Sequence, residues 1–205
     1  MDNFARFLLV AACFLLAVLL GKFAHSKKDW AYLVLAMAFT LVSDFFLLLT
    51  DYITLGVATF WLAHTAYIFR VRRKLPKVTV VTLAVGLFFG VLLVLLGFPD
   101  VLMFFAAVYA VLFAQNIIVH VKYCKNTDNT TDELPLFNRK IILAALVLFA
   151  LCDVNVAIFN LRDPLELSPQ AVDIVYTLIW LFYVPSQLML AISAVRFPRF
   201  LQKRS

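Results

Sequence analysis

The run WAYLVLAMAFTLVSDFFLLLT, residues 30–50, decides the fold. It contains a single charged residue, Asp44, and neither proline nor glycine. At ~1.5 Å per residue, a helix of this length crosses the ~30 Å hydrocarbon core of a bilayer. Six further apolar runs lie outward from it, at 4–21, 52–69, 78–97, 100–121, 141–160 and 171–194. The whole 205-residue chain is 64% hydrophobic and 15% charged, whereas soluble domains run near ~45–50% and ~25%. A globule of this size cannot hide so much apolar surface from water, so the excess faces lipid. Soluble enzymes, disordered tails, collagen-like chains and disulfide scaffolds are thereby excluded. The five glycines and the scarcity of alternating patterns favour helices over a β-barrel. The expected architecture is all-α: one integral-membrane domain, residues 1–205, with seven spans.

The net charge of +6 acts as a topology signal. Lys22, Lys27 and Lys28 join spans 1 and 2, and Arg70, Arg72, Arg73, Lys74 and Lys77 join spans 3 and 4. Lys122, Lys125, Arg139 and Lys140 flank the fifth connection, and Arg196, Arg199, Lys203 and Arg204 occupy the tail. Sixteen of the 18 basic residues thus fall on one side of a seven-span bundle. The other side keeps Arg6 and Arg162 beside Asp2, Asp51, Asp100, Asp163, Glu166 and Asp173. The positive-inside rule places the N-terminus outside and the C-terminus in the cytoplasm. This is the pattern of a multi-pass cell-membrane protein whose partner is membrane lipid, and nucleic acid is not an expected partner.

The first run lacks a basic n-region and is long for a signal peptide, so it reads as a retained span. Cys13 and Cys152 lie in spans and Cys124 in a connection, which makes no disulfide framework. The sequon Asn129-Thr130-Thr131 falls on the predicted cytoplasmic side, where it would stay unmodified. No connection is large enough for a soluble domain. Any chemistry must lie within the membrane.

Ionisable residues in hydrocarbon cost at least ~2.5 kcal/mol each on insertion scales, so each needs a reason. Asp44 and Asp153 are well inside spans 2 and 6, both about 9–10 Å below the outer boundary by helical rise. A lone aspartate serves packing as readily as function; a depth-matched pair favours function. Tyr176, Trp180, Tyr183 and Gln187 fall on one face of span 7, which Pro185 interrupts. His64 and Tyr67 share a face of span 3, and Tyr109 and Asn116 share one of span 5. For the aromatics the plainer reading is packing or an interfacial belt, and for His64 a satisfied core histidine. His25, His64 and His120 lack ligand spacing, so no metal is expected. Neither a nucleophile elbow nor a phosphate-cradling glycine loop is present, and no cofactor is expected. A two-carboxylate site is the most specific chemical reading.

Ser43-Asp44, followed by Phe60, His64 and Tyr67 in the next span, resembles the YhhN-like family, which includes the lysoplasmalogenases. A second family element, Ser-Asp in the penultimate helix and Tyr-x-x-x-Gln in the last, is matched by Asp153, Tyr183 and Gln187. Cys152 stands where the family has serine. The resemblance runs along nearly the whole chain in order, although family members are often drawn with eight spans rather than seven. It implies cleavage of the vinyl-ether bond of a lysophospholipid substrate, releasing a fatty aldehyde and glycerophosphocholine or glycerophosphoethanolamine. Vinyl ethers hydrolyse by protonation at the β-carbon, then capture of the oxocarbenium ion by water. A carboxyl in apolar surroundings keeps its proton more readily than one in water, and a neighbouring carboxylate reinforces this. Asp44 and Asp153 are therefore the expected acid and base, as two carboxylates divide the work in glycoside hydrolysis. His64, Tyr67, Tyr109, Asn116, Trp180, Tyr183 and Gln187 are the expected substrate-binding and positioning residues. Two rivals remain: a small proton-coupled transporter built on a parallel repeat of spans 1–3 and 5–7, and a non-catalytic lipid-binding or receptor-like bundle.

Overall fold

A computed structural model of the chain describes residues 2–72, 75–98, 101–125 and 134–197. Within them lie seven α-helices: α1 (Asn3–Leu19), α2 (Lys27–Leu49), α3 (Ile53–Val71), α4 (Lys77–Leu95), α5 (Val101–Lys125), α6 (Leu136–Asn160) and α7 (Pro169–Ile192). A 3-10 turn, Leu20–Phe23, extends α1. Six of the helices, all but α3, are long and apolar enough to cross a membrane, as in an integral membrane protein. The sequon Asn129-Thr130-Thr131 and the charges of Arg73, Lys74, Asp100, Arg199, Lys203 and Arg204 lie outside the described residues.

Local sequence sets the helix ends. Asp2, Ser26 and Ser168 cap α1, α2 and α7 by accepting from the amides of Ala5, Asp29 and Ala171. Pro76 and Pro135 immediately precede α4 and α6, where a missing N–H costs nothing. Gly97, at φ 67°, closes α4 in the left-handed conformation while the Phe98 amide donates to the Leu93 carbonyl.

Helix α3 is the one that falls short in apolar character, and its polar side chains are buried against its neighbours. It buries Phe60, Trp61, His64, Tyr67 and Arg70 and packs against both α2 and α5. A helix surrounded by helices can carry polar side chains that lipid would not tolerate. Helix α4 is the opposite case, burying only Thr79, Gly86 and Gly90. A Cβ on Gly86 would sit 2.8 Å from Val108, and one on Gly90 2.9 Å from the Phe105 ring. These two glycines, four residues apart, let α4 approach α5 closely. The α2–α3 hairpin is fastened similarly: the Ser43 hydroxyl donates to the Gly56 carbonyl, so Ser43 is a packing residue.

One end of the bundle is tied by polar contacts. Arg70 grips both oxygens of Asp29 at 2.8 and 3.0 Å and donates to Ser193 Oγ at 3.0 Å. The Asn138 amide donates to the carbonyls of Ser193 and Val195, and the His25 and Arg196 amides bond across an antiparallel bridge between Ala24 and Val195. The starts of α2 and α6 and the ends of α3 and α7 are thereby joined. This corrects the view of Arg70 and Arg139 as loop cations, because both are buried. Arg139 donates to the Leu134 and Tyr123 carbonyls and lies over the Tyr123 ring. A guanidinium leaves water only where acceptors replace its hydration, and both find them.

Candidate active site

Asp44 projects from α2 and Asp153 from α6. Each carboxyl accepts a hydrogen bond from a tyrosine hydroxyl at 2.5 Å: Asp44 from Tyr183 of α7, and Asp153 from Tyr109 of α5. The two carboxyls are close enough to interact electrostatically. Asp44 is only 4% exposed, whereas Asp153 is half-buried. Four helices thus converge on one pair of acids.

The hydrogen bonds behind Asp153 have a definite polarity. Asn116 presents its amide nitrogen to His64 Nδ1 at 3.0 Å, and an amide nitrogen can only donate. His64 Nδ1 is then the acceptor, and Nε2 carries the proton. Nε2 lies 3.2 Å from the Tyr109 oxygen, whose own hydrogen goes to Asp153. The chain Asn116 to His64 to Tyr109 to Asp153 donates in one direction throughout. The backbone carbonyl of Asn116 accepts from His120 Nδ1 at 2.9 Å. Proton transfer along this line stops at Asn116, since an amide is not a relay.

Aromatic rings pack around the two acid–tyrosine pairs. The Phe149 ring contacts Phe60, His64, Phe113 and Tyr183, and His64 stacks on Phe113 with centroids 4.2 Å apart. Tyr67 lies beside His64, but its buried hydroxyl has no hydrogen-bond partner among the described residues. Gln187 is fully buried one turn beyond Tyr183, with its Oε1 also unpartnered. Trp180 meets the Tyr183 ring edge-on at 5.8 Å and does not reach either carboxyl through a hydrogen bond. Gln115, next to Asn116, turns away to Thr82 at 3.0 Å.

Asp44, Tyr183, Asp153, Tyr109, His64 and Asn116 are thus brought together, with Tyr67, Trp180 and Gln187 at the margin. Sequence reasoning missed Phe149 and Phe113, which carry no polar signal. It also misplaced Arg6, assigned above to the outer loop charges. Arg6 is 8% exposed and lies over the rings of Tyr176 and Trp180, at 4.4 and 4.8 Å. The signal was its position inside the first apolar run, on a helix that packs against α7.

Among the described residues no cluster of three or more His, Cys, Asp or Glu side chains suits a metal ion. A groove of about 310 Å³ between α4 and α5 is lined by residues such as Val81, Val85, Phe104 and Val111. No titratable side chain lines it. A family model described as the YhhN family matches residues 4–194. No curated protein and no solved structure matches the chain.

Proposed function

Because the chain belongs to the YhhN family, we propose that it is a membrane-embedded ether hydrolase that cleaves the vinyl-ether bond of lysoplasmalogens. The observation that carries this reading is the pair of tyrosine-held carboxyls, Asp44 and Asp153, inside a bundle of apolar helices. The same reading has the chain cross the cell membrane seven times, N-terminus outside. The burial of the polar side chains of α3 against other helices and the gathering of basic residues in alternate connections support that topology.

Asp44, the drier carboxyl, is the acid. It gives its proton to the β-carbon of the vinyl ether, and the double-bond electrons leave an oxocarbenium ion at the α-carbon. Asp153 is the carboxylate that stabilises this cation. The one-way chain from Asn116 suits a negative charge there, because hydrogen bonds to an ionised acceptor are the strong ones and polarise in series. Asp153, the less buried of the two, is the carboxyl this reading assigns to the attacking water. Water adds to the α-carbon and yields its proton to Asp153, forming a hemiacetal. Asp153 then returns that proton to the ether oxygen while Asp44 takes the hemiacetal hydroxyl proton. The carbon–oxygen bond breaks, aldehyde and glycerophospho-alcohol separate, and both carboxyls are reset. No cofactor enters the balance.

The test is purified protein in detergent, supplied with a vinyl-ether lysolipid and its saturated ether analogue while aldehyde is measured. Cleavage of the vinyl ether alone is expected. Release from both substrates, or from neither, contradicts the mechanism. A transporter would bind substrate and release no aldehyde.

A further inference from the structure

Arg6 of α1 is a permanently charged group that the hydrolytic steps do not use. It is more than nine-tenths buried, yet no carboxylate pairs with it among the described residues. Among the described residues its side chain makes a single hydrogen bond, to the Asn3 side-chain oxygen at 3.2 Å, and its Nε has no acceptor. The indole N–H of Trp180, whose ring lies under the guanidinium, is buried and equally without an acceptor. The nearest acid is Asp2, whose exposed carboxylate is engaged in capping the Ala5 amide at 2.7 Å. Two unsatisfied donors and a buried cation faced only by the exposed carboxylate of Asp2 call for a further anion, since buried donors and charges are costly unless paired.

We infer that Arg6 and the Trp180 indole form a subsite for the phosphodiester of the single-chain lipid held at Asp44 and Asp153. The lipid's identity rests on the reading under Proposed function; the demand for an anion does not. The spacing fits one molecule. Trp180 precedes Tyr183 by three residues on α7, and Tyr183 holds Asp44, so the subsite lies about one turn, ~5.4 Å, toward the start of α7. In such a lipid, five bonds separate the ether oxygen from phosphorus, about 6 Å at ordinary bond lengths. The guanidinium presents several N–H groups in a plane that suits two phosphate oxygens. Arg6 and Trp180 here are binding residues and take no part in bond cleavage.

The experiment compares an alkenyl lysophospholipid with the corresponding alkenylglycerol, which lacks phosphate. Arg6→Gln is expected to raise KM for the phospholipid about tenfold or more and to leave KM for the alkenylglycerol within twofold. Arg6→Lys restores part of the loss, and Trp180→Phe, which keeps the ring and loses the N–H, gives a smaller increase on the phospholipid alone. Equal losses on both substrates would make Arg6 a packing residue and overturn the inference. A binding arm separates this from failure of the hydrolase reading. The saturated alkyl lysophospholipid should raise the thermal midpoint of the wild-type protein more than the alkylglycerol does, and Arg6→Gln should remove that difference. If the difference is present without any aldehyde release, the anion subsite stands and the hydrolase reading falls. If aldehyde is released but the two ligands stabilise alike, the subsite falls. Inorganic phosphate is the last arm: a shift as large as the lipid's would mark a site for soluble anions and contradict the lipid assignment.

Discussion

Two carboxyls in a membrane interior are held by two tyrosines, and the arrangement behind them is unequal. Asp44 has Tyr183, whereas Asp153 has Tyr109 backed by His64 and Asn116. A hydrogen bond to a charged acceptor contributes about 1.5–3 kcal/mol. Tyr109→Phe should therefore lower kcat by roughly 10–100-fold, with KM little changed. Steady-state kinetics on the vinyl-ether substrate check this, and a rise in KM at constant kcat would make Tyr109 a substrate contact instead. The six residues of the network were legible as candidates, because a polar group inside an apolar run needs a reason. Their partners were not. Helical spacing orders residues on one helix, but the docking of α5 against α6 decides that Asp153 meets Tyr109. Arg6 went unread for a related reason: a cation six residues into a chain looks like a span end until α7 covers it.

At the scale of helices, the seven apolar runs correspond to the seven helices, and the differences lie at their polar ends. Helix α5 continues to Lys125 and α6 begins at Leu136, because hydrogen bonding along a helix outlasts the apolar stretch. The Arg70–Asp29 contact was illegible, since the two residues are far apart in sequence and each looks like a loop charge. Removing one partner of a buried ion pair strands the other, at about 3–5 kcal/mol. Arg70→Gln should markedly lower the unfolding midpoint in detergent, and adding Asp29→Asn should recover most of the loss. If the double variant is no more stable than the single, the contact acts through packing and not through charge. On α4, Gly86→Leu forces a side chain into Val108 and Trp61. Overpacking of this kind costs about 1–3 kcal/mol, and thermal unfolding measured beside an exposed control, Leu87→Ala, should show the difference.

For the whole molecule, the distribution of charge predicts which surfaces face the cytoplasm. In intact cells, with Cys124 replaced by serine, an impermeant maleimide should label Asp51→Cys and Asp163→Cys. Lys28→Cys and Lys77→Cys should label only after the membrane is opened. A mixed pattern would contradict seven crossings. The parallel repeat considered for a transporter finds no echo in the polar network. Asp44 of α2 pairs with α7, so the repeat would pair Asp153 of α6 with α3, yet its partner Tyr109 lies on α5. The asymmetry suits two acids with different tasks.

In the proposed reaction Asp44 and Asp153 exchange protons with the vinyl ether and water. This exchange is tested most directly by aldehyde release in D2O, with the aldehyde reduced at once to the alcohol and its deuterium counted by mass spectrometry. The wild-type protein should place one deuterium on the carbon next to the carbonyl. Asp44→Asn and Asp153→Asn, both folded by size and thermal midpoint, should each release aldehyde roughly 10²–10⁴-fold more slowly, the range for loss of a general acid or base. Aldehyde without that deuterium, or wild-type rates from either variant, would contradict the account.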